Sequence, residues 1–433
     1  MLAALRYRIV SAMFHQPRLL RAAAGALRRH AALSSALGVA AGINAVRAML
    51  SQETRFSHGH YPAVMPGGPF LIGLPSGPVH AAKRQCLQGL LPRRELLVAA
   101  SARALDALVG ELRARTGVRD PLRFDLVDDY MVPLVWNALR LTYDERAEPV
   151  TEVDRELVQA ARWLGAQLLI GAAATPAVQQ RALRSARQLS IAFDDAMSGA
   201  PSDFGFDARW LRAVPARTER LRDAIGLMWV GHPSVTQAGV LMMQELLARP
   251  EEYARLIEAT ARVGGTAADM PPHHRELLRA HVLELLRFRP PFPLLGRLVA
   301  QPTQLPSGAS GQSGPADGAV AEAIHVKAGA CIAMTLGALF DPAAQHEDPR
   351  RYVPGRHFHH EEDRLLMFGT GPRRCIAGDQ VVEVLVTALH GLLCLGLVPA
   401  ASGASASKAP LRQARRCSFD GPIIVHMPMT TAR

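Results

Sequence analysis

One cysteine near the end of the chain lies where a thiolate would be stabilised. Cys375 belongs to the segment 368–378, which reads FGTGPRRCIAG. Two glycines leave backbone amides accessible, Arg373 and Arg374 bring positive charge close to the sulfur, and an apolar helical pattern begins directly afterwards. A soft thiolate that faces an open pocket suits iron. The segment predicts that Cys375 is a metal ligand; the alternative is a buried cysteine in a Gly-Pro turn.

Two basic residues early in the chain have a spacing that suits the binding of carboxylates. His80 and Arg84 follow a loop rich in proline and glycine, at 73–78, and this loop opens a helical pattern. Residues four apart share one face of a helix, so the two cationic donors could grip a pair of carboxylates. Taken alone, the pair fits a solvated helix edge equally well.

Two further sets of charged residues occur later in the chain. Glu284 and Arg287 are three residues apart in the helical pattern 281–289, a spacing that is frequent on helices and says little by itself. Arg297 follows a Pro-Pro turn, and Arg356 ends the run DPRRYVPGR. These residues become candidates for a site only together with the cysteine segment.

The helical pattern 221–248 contains a proline where a helix would not be expected to have one. Pro233 removes one backbone donor and leaves the carbonyl of Trp229, four residues earlier, without its helix partner. A kink at this point costs about 3 kcal/mol unless something compensates. Ser234, the next residue, brings a hydroxyl to the same place.

In this order along the chain, these segments resemble the heme-thiolate cytochromes P-450, soluble bacterial type. The resemblance spans about residue 65 to the C-terminus. It implies that Cys375 is the axial ligand of the iron of heme b and that Phe368 packs near the sulfur. The family usually has glycine two residues after the cysteine, whereas this chain has Ala377, whose methyl group is tolerable there. The residues that the resemblance assigns to the heme propionates are His80, Arg84, Arg297 and Arg373.

The resemblance also implies a buried structural hub. In the family a Glu-x-x-Arg pair forms ion pairs with an arginine of a later loop, and these roles fall to Glu284, Arg287 and Arg356. The distance from Glu284 to Cys375 is 375 − 284 = 91 residues, which is long for a compact member. The segment 304–318 is rich in Ser, Gly, Gln and Pro, so a flexible insertion there explains the extra length.

The distal helix departs from the family pattern at one position. The family has a small residue, Gly, any residue, an acid and then Thr, and the acid and hydroxyl relay protons during dioxygen activation. This chain keeps the glycine, Gly231, and a hydroxyl, Ser234, but has Pro233 in place of the acid. Either the kink opens a groove where Ser234 holds water, or it is tolerated with unchanged chemistry. The implied catalytic positions are Gly231, His232, Pro233 and Ser234.

The expected fold is mainly α with small β-sheets (α+β), with heme between the kinked distal helix and the proximal cysteine loop. Residues 53–433 are predicted to form one heme-thiolate catalytic domain, with the flexible insertion near 304–318. A helix pair within 153–197 corresponds to the family's mobile roof over the substrate pocket. Side chains that could line an apolar chamber there are Leu164, Leu168, Leu169, Ile170 and Ile191.

The first 52 residues are basic. They contain seven arginines and no Asp or Glu, and apolar residues recur at roughly helical spacing. Three interpretations remain open: a transit peptide, a segment on an anionic membrane surface, or the ordinary first helices of a basic domain. The Ala/Arg bias continues through the chain, which favours the third.

Composition narrows the partners and the compartment. The 49 basic and 38 acidic residues give a net charge of +11, yet aromatic residues are only 5% and basic clusters interleaved with aromatics are absent, which disfavours nucleic acid. The resemblance implies instead a basic face for an acidic electron donor, a choice that composition alone leaves open. The five scattered cysteines imply no disulfide framework and suit a reducing cytoplasm. No apolar run is long enough for a membrane span, although peripheral membrane contact stays open.

The predicted function is a monomeric heme-thiolate monooxygenase that inserts one oxygen atom from O2 into an apolar small molecule. The substrate would be a fatty acid, a terpenoid or another biosynthetic intermediate, and a separate ferredoxin and reductase would supply electrons. Because Pro233 replaces the acid, a peroxide-using peroxygenase or isomerase/dehydratase is the alternative. A non-catalytic heme or gas-binding protein is more remote.

Overall fold

The computed structural model describes residues 16–57, 68–114, 122–150, 153–170, 176–199, 205–264, 267–307, 323–395, 398–399 and 424–427. Helices dominate it, with a π-helical turn at Leu126–Met131 and short 3-10 turns. The helices, in chain order, are α1 (Pro17–Arg29), α2 (Ala31–Leu37), α3 (Ile43–Ser51), α4 (Pro78–Gln88), α5 (Arg94–Ala114), α6 (Val132–Tyr143), α7 (Arg155–Ile170), α8 (Pro176–Met197), α9 (Ala208–Ala213), α10 (Arg217–Leu247), α11 (Pro250–Val263), α12 (Pro272–Phe288), α13 (Thr335–Leu339) and α14 (Gly378–Cys394).

Proline opens several of these helices. Pro17, Pro78, Pro250 and Pro272 lie in the first turn, where the missing N–H would have no helical partner anyway. Pro78 therefore fixes where α4 begins and sets His80 in its first turn. The Pro/Gly loop noted in the sequence acts in this way as a helix start.

Short strands form three small sheets. The first has the order β1-β7-β4-β2, the second β3-β9-β8 and the third β5-β6. The strands are β1 (Val39–Ala40), β2 (Phe56–Ser57), β3 (Leu122–Asp125), β4 (Leu295–Val299), β5 (Thr303–Pro306), β6 (Ala323–Val326), β7 (Gly329–Ala333), β8 (Val398–Pro399) and β9 (Ile424–Met427). A helix-rich fold with small sheets confirms the predicted fold class.

For residues 304–334, the structure differs from two predictions made from the sequence. The alternation at 324–334 predicted one strand pair around Gly329, but β6 pairs with β5, whereas β7 pairs with β4 and β1. The alternation of apolar and polar residues indicates that strands are present, but it does not indicate which strands pair. The expected insertion near 304–318 begins inside β5, where Leu305 is buried against the core; residues 308–322 lie outside the described part of the chain.

Helix α10 is the long helix at the centre of the fold, and it continues through Pro233 without a break. Its close packing depends on two glycines. A Cβ built on Gly226 would lie 2.2 Å from the ring of Phe70, and one built on Gly239 would lie 2.2 Å from Met131. Because neither glycine has a side chain, Phe70 and Met131 fill those places.

The basic N-terminal helices pack on the rest of the chain. Leu20, Ala24 and Leu27 of α1 are buried, and the Arg28 guanidinium donates a hydrogen bond of 2.6 Å to the carbonyl of Gly337. Arg47 of α3 forms an ion pair with Asp363. This packing favours the interpretation of 17–51 as ordinary first helices; residues 1–15 lie outside the described residues.

The roof helices α7 and α8 pack against each other, but they present other residues than expected. Ile191 is 64% exposed, because it lies on the outer face of α8 while Leu189 and Phe193 face inward. Leu164 is fully buried in the core and does not line the main cavity, whereas its neighbour Gly165 does. The side chains of Leu168, Leu169 and Ile170 lie outside the described residues.

Across the described ranges, no helix combines the length and the apolar character needed to cross a bilayer.

Candidate active site

A cavity of about 380 Å³ lies between α4, α10 and the cysteine segment. Its size falls in the usual range for small-molecule sites, and most of its wall is apolar. It brings together nine residues that the sequence singled out, from four separate parts of the chain. They are His80, Arg84, Gly231, Pro233, Ser234, Arg297, Phe368, Arg373 and Cys375.

The cysteine segment is a tight loop that glycine makes possible. The amide of Cys375 donates a hydrogen bond of 2.8 Å to the carbonyl of Phe368, which closes the loop. Gly369 and Gly371 have φ values of 78° and 69°, a region that side chains disfavour. A Cβ on Gly371 would also lie 3.1 Å from the Cα of Ser51, at the end of α3. Both glycines are therefore needed to aim the sulfur into the cavity.

The thiol of Cys375 is exposed to the cavity, whose walls surround it with protein. Burial raises its pKa, whereas the amide of Ala377 and the guanidiniums of Arg84 and Arg374 act to lower it. Ala377 has φ −114°, an ordinary value for alanine. Alanine at this position therefore causes no backbone strain, and the departure from the family pattern leaves the loop intact.

The charges in the cavity are of one sign. Arg84, Arg297, Arg373 and Arg374 line it together with His80, and no Asp or Glu occurs among the described lining residues. Four guanidiniums and an open thiol inside an apolar wall match a flat apolar group that carries two carboxylates and a metal centre. The donor set fits heme, with Cys375 as the thiolate ligand.

Arg373 and Arg84 are also held by hydrogen bonds to backbone carbonyls. Arg373 donates hydrogen bonds of 3.1 and 2.7 Å to the carbonyls of Ile72 and Leu74, in the loop before α4. Arg84 donates to the carbonyl of Arg374, which ties α4 to the cysteine segment. These bonds join the His80 region to the cysteine loop.

His80 and Arg297 are both almost completely buried. Burial lowers the pKa of His80, and the nearby charge of Arg373 lowers it further. The imidazole is therefore mainly neutral near pH 7, and it can offer one N–H to a carboxylate. Arg297 lies on β4 and donates a hydrogen bond of 2.8 Å to the carbonyl of Gly296.

The three residues of the expected hub meet outside the cavity. The Arg287 guanidinium donates two hydrogen bonds, of 2.8 and 2.9 Å, to the Glu284 carboxylate. Arg356 donates to the same carboxylate at 3.3 Å, and the amide of Val353 donates at 2.8 Å. All three charged groups are at most 4% exposed. The hub fixes the segment 349–356 against α12 and has no direct part in the cavity.

On the distal helix, the hydroxyl of Ser234 points back into the helix. It donates to the carbonyl of Val230, with the carbonyl of Gly231 at 3.2 Å. The hydroxyl hydrogen is therefore already used, and Ser234 offers the cavity only an acceptor in this conformation.

His232 was expected among the catalytic positions, but it does not line the cavity. It is fully buried on the other face of α10, where its Nε2 lies 3.2 Å from the carbonyl of Val132. Burial lowers its pKa to about 3, so the ring is neutral and Nε2 donates to that carbonyl. The structure thus separates His232 from Gly231, Pro233 and Ser234.

Three cavity residues were not anticipated from the sequence. Trp229 and Gln237 line the cavity from α10, and Gly165 of α7 lies close to the carbonyl of Trp229. Gln237 is 4% exposed, and its amide oxygen has no hydrogen-bond partner within the described residues. Its spacing of three residues from Ser234 is the signal that could have identified it.

A family model described as "Cytochrome P450" matches residues 219–384. "Putative cytochrome P450 137" of Mycobacterium tuberculosis is 28% identical over 173 residues, which cover 40% of this chain and 31% of the relative. "Cytochrome P450 4d8" of Drosophila melanogaster is 25% identical over 171 residues, or 37% of this chain and 35% of the relative. The matched part spans about a third of the length of these relatives.

Solved structures resemble nearly the whole chain. CYP109E1 from Bacillus megaterium in complex with testosterone has a TM-score of 0.68 at 17% identity, over 97% of this chain and all of that one. A mutant of P450 EryK in complex with erythromycin B has a TM-score of 0.65 at 19% identity, over 97% and 99%. The fold, the family match and the thiol-bearing cavity agree: residues 219–384 are similar to the cytochromes P450, and the described chain has the fold of the solved cytochrome P450 structures.

Proposed function

We propose that this protein is a heme-thiolate monooxygenase that inserts one oxygen atom of O2 into an apolar small molecule. The observation that carries the proposal is the meeting of one open thiol, Cys375, with four arginines in a cavity whose described lining lacks carboxylates. Only a group with its own negative charges and a thiophilic metal uses both features. Heme bound there would supply the activation of dioxygen.

The chain's own residues would bind and orient the heme. Cys375 would hold the metal, and His80, Arg84, Arg297 and Arg373 would bind the two carboxylates. Phe368 packs beside the loop. A Cβ built on Gly378 would lie 3.5 Å from the ring of Phe368. These assignments follow the position of each residue in the cavity wall and its donor chemistry.

The substrate is proposed to be an apolar molecule such as a fatty acid or a terpenoid. The distal wall supports this class, because it is formed by aliphatic and aromatic side chains such as Val135, Leu139, Leu227 and Phe292. Two structural neighbours hold testosterone and erythromycin B, both large molecules with much apolar surface. The roof helices α7 and α8 would cover the bound substrate.

Electrons are proposed to come from a separate ferredoxin-type protein. The net charge of +11 supports an acidic partner, since opposite charges steer association. We also propose that the protein acts in the cytoplasm as a monomer, with residues 17–51 belonging to the single catalytic domain.

A second candidate function is the use of a peroxide in place of O2 and electrons. Pro233 stands where the family has an acid, and the hydroxyl of Ser234 is bonded to its own helix. The described cavity wall thus lacks both a carboxylate and a free hydroxyl hydrogen on this helix. A peroxide substrate needs less proton delivery, because it arrives already reduced by two electrons and carrying its protons.

A product assay separates the two candidates. The heme-loaded protein is incubated with a panel of fatty acids and terpenoids, either with O2, NADPH, a ferredoxin and its reductase, or with hydrogen peroxide alone. Oxygenated product that requires the electron donors supports the monooxygenase. Efficient product from peroxide alone supports the second candidate, and no product in either arm from a panel that binds would contradict both.

A further inference from the structure

Pro233 frees one backbone acceptor in the middle of α10. In an uninterrupted helix the carbonyl of Trp229 accepts a hydrogen bond from the amide four residues later. Residue 233 is proline and has no N–H, so the carbonyl of Trp229 lacks that bond. The helix nevertheless continues on both sides, so the carbonyl stays fixed in position.

Gly165 of α7 lies directly opposite this carbonyl. A Cβ built on Gly165 would lie 3.2 Å from the carbonyl oxygen of Trp229 and 3.6 and 3.7 Å from two ring carbons of Pro233. Any side chain at 165 would therefore press against the oxygen. Gly165, Trp229 and Pro233 all line the main cavity, so the acceptor lies at the cavity wall, between the roof and the distal helix.

Most of the side chains that α6 contributes to this cavity are apolar, with Thr142 as the exception. Val135, Ala138 and Leu139 of α6 and Leu227 of α10 line the same cavity. The nearest hydroxyl on the helix, that of Ser234, donates its hydrogen to Val230. A buried carbonyl without a partner is unfavourable, so a ligand that brings a donor to it gains affinity.

We propose that the carbonyl of Trp229 accepts a hydrogen bond from a hydroxyl group of the substrate, and that Gly165 keeps it accessible. The cavity thereby selects apolar molecules that carry a hydroxyl over equally large molecules without one. This deepens the proposed function by naming the substrate class. It makes Gly165 and Pro233 residues that determine specificity.

The test compares ligands that differ only in the donor. Linear alcohols of graded length and a terpene alcohol, farnesol, are each paired with their methyl ethers, and binding to the heme-loaded protein is measured by calorimetry. One hydrogen bond to a buried acceptor corresponds to about a tenfold difference in Kd. The native protein is therefore expected to prefer the alcohol about tenfold in the pairs that bind most tightly.

Two variants block the acceptor by different means. Pro233→Ala restores the helix N–H, which then occupies the Trp229 carbonyl, and Gly165→Ala places a methyl group against it. Both are expected to bring the alcohol-to-ether ratio close to one. Gly296→Ala adds the same methyl group to the cavity wall where nothing lies within 4 Å, so it reports lost volume alone and should keep the preference.

Equal binding of alcohols and ethers by the native protein, or no binding across the whole series, would overturn the inference. An unchanged preference in Pro233→Ala would overturn it as well. The thiolate spectrum of the reduced carbon monoxide complex is recorded on the same samples. If that spectrum is absent, the proposed function fails; if it is present without an alcohol preference, only this inference fails.

Discussion

Arg373 and Glu53, which are 320 residues apart in the sequence, form an ion pair beside the cysteine loop. The Nε of Arg373 lies 2.8 Å from a carboxylate oxygen of Glu53, and the two side chains are 6% and 14% exposed. The two atoms are close but are not aligned for a hydrogen bond. The pair therefore acts through charge: it holds Arg373 at the point where the loop before α4 meets the cysteine segment.

Replacing Glu53 with Gln should lower both the stability of the fold and the retention of heme. The change removes the carboxylate charge next to a buried guanidinium, so we expect a loss of about 1–3 kcal/mol in the free energy of unfolding and weaker retention of heme. Urea unfolding and heme titration measure the two effects. Glu361→Gln, which breaks the exposed pair with Arg364, is the matched control and should change stability by less than about 1 kcal/mol. Equal effects of both changes would contradict a special role for Glu53.

Replacing Glu284 in the hub should lower the stability of the fold by more than replacing Glu53. Glu284→Gln leaves the guanidiniums of Arg287 and Arg356 buried without a counter-charge, and breaking such a pair costs about 3–5 kcal/mol. We expect little folded protein and little bound heme, measured by circular dichroism and by the heme absorbance per chain. Glu258→Gln, in an exposed pair with Arg262, serves as the control. A folded Glu284→Gln protein with normal heme content would show that the hub is dispensable.

His232 should make the protein sensitive to acid. Its pKa in the fold is about 3, below the ordinary value of 6.5, because burial disfavours the charged ring. Below pH 6.5 the unfolded chain binds a proton that the fold excludes, so stability falls as the pH drops from about 6.5 towards 3. This one group accounts for about 1.4 kcal/mol per pH unit.

The variant His232→Leu isolates this contribution. Urea midpoints at pH 7 and pH 5 should fall less with acidity in the variant than in the native protein, even if the variant starts from a lower stability. His281 also has a low pKa in the fold, about 4, so some acid sensitivity remains. The same dependence on pH in both proteins would contradict the assignment to His232.

Restoring the acid on the distal helix should improve the use of oxygen. Pro233→Glu supplies a carboxylate next to Ser234, and we expect a several-fold larger share of consumed O2 to appear in product in place of hydrogen peroxide. Pro233→Gln restores the backbone donor without the acid and should not give this gain. Equal behaviour of the two variants would show that the carboxylate is not the missing part.

The short-range features of this site could be predicted from the sequence, because local spacing determines them. The cysteine segment, the His80–Arg84 pair and the Glu284–Arg287 pair each lie within one loop or one helix, and the structure brings each into the expected neighbourhood. Contacts between distant segments could not be predicted. Neither the Glu53–Arg373 pair nor the packing of Gly165 against Pro233 leaves a pattern in the sequence.

The expectation for His232 shows a limit of another kind. Met228, His232 and Thr236 are spaced four apart and form one buried stripe of α10, and none of them lines the cavity. Gly231, Pro233 and Ser234 lie on the other side. The sequence shows the stripe but not which side faces the cavity, because that depends on α6, which packs against His232.

The most direct test of this account is the absorption spectrum of the reduced, heme-loaded protein with carbon monoxide. The native protein should give the long-wavelength band of a thiolate-ligated complex, and Cys375→Ala should lose it. Cys86→Ala, which changes a cysteine outside the cavity wall, should keep it. If the band survives in Cys375→Ala, or is absent from the native protein, then Cys375 is not the ligand and the proposed function is wrong.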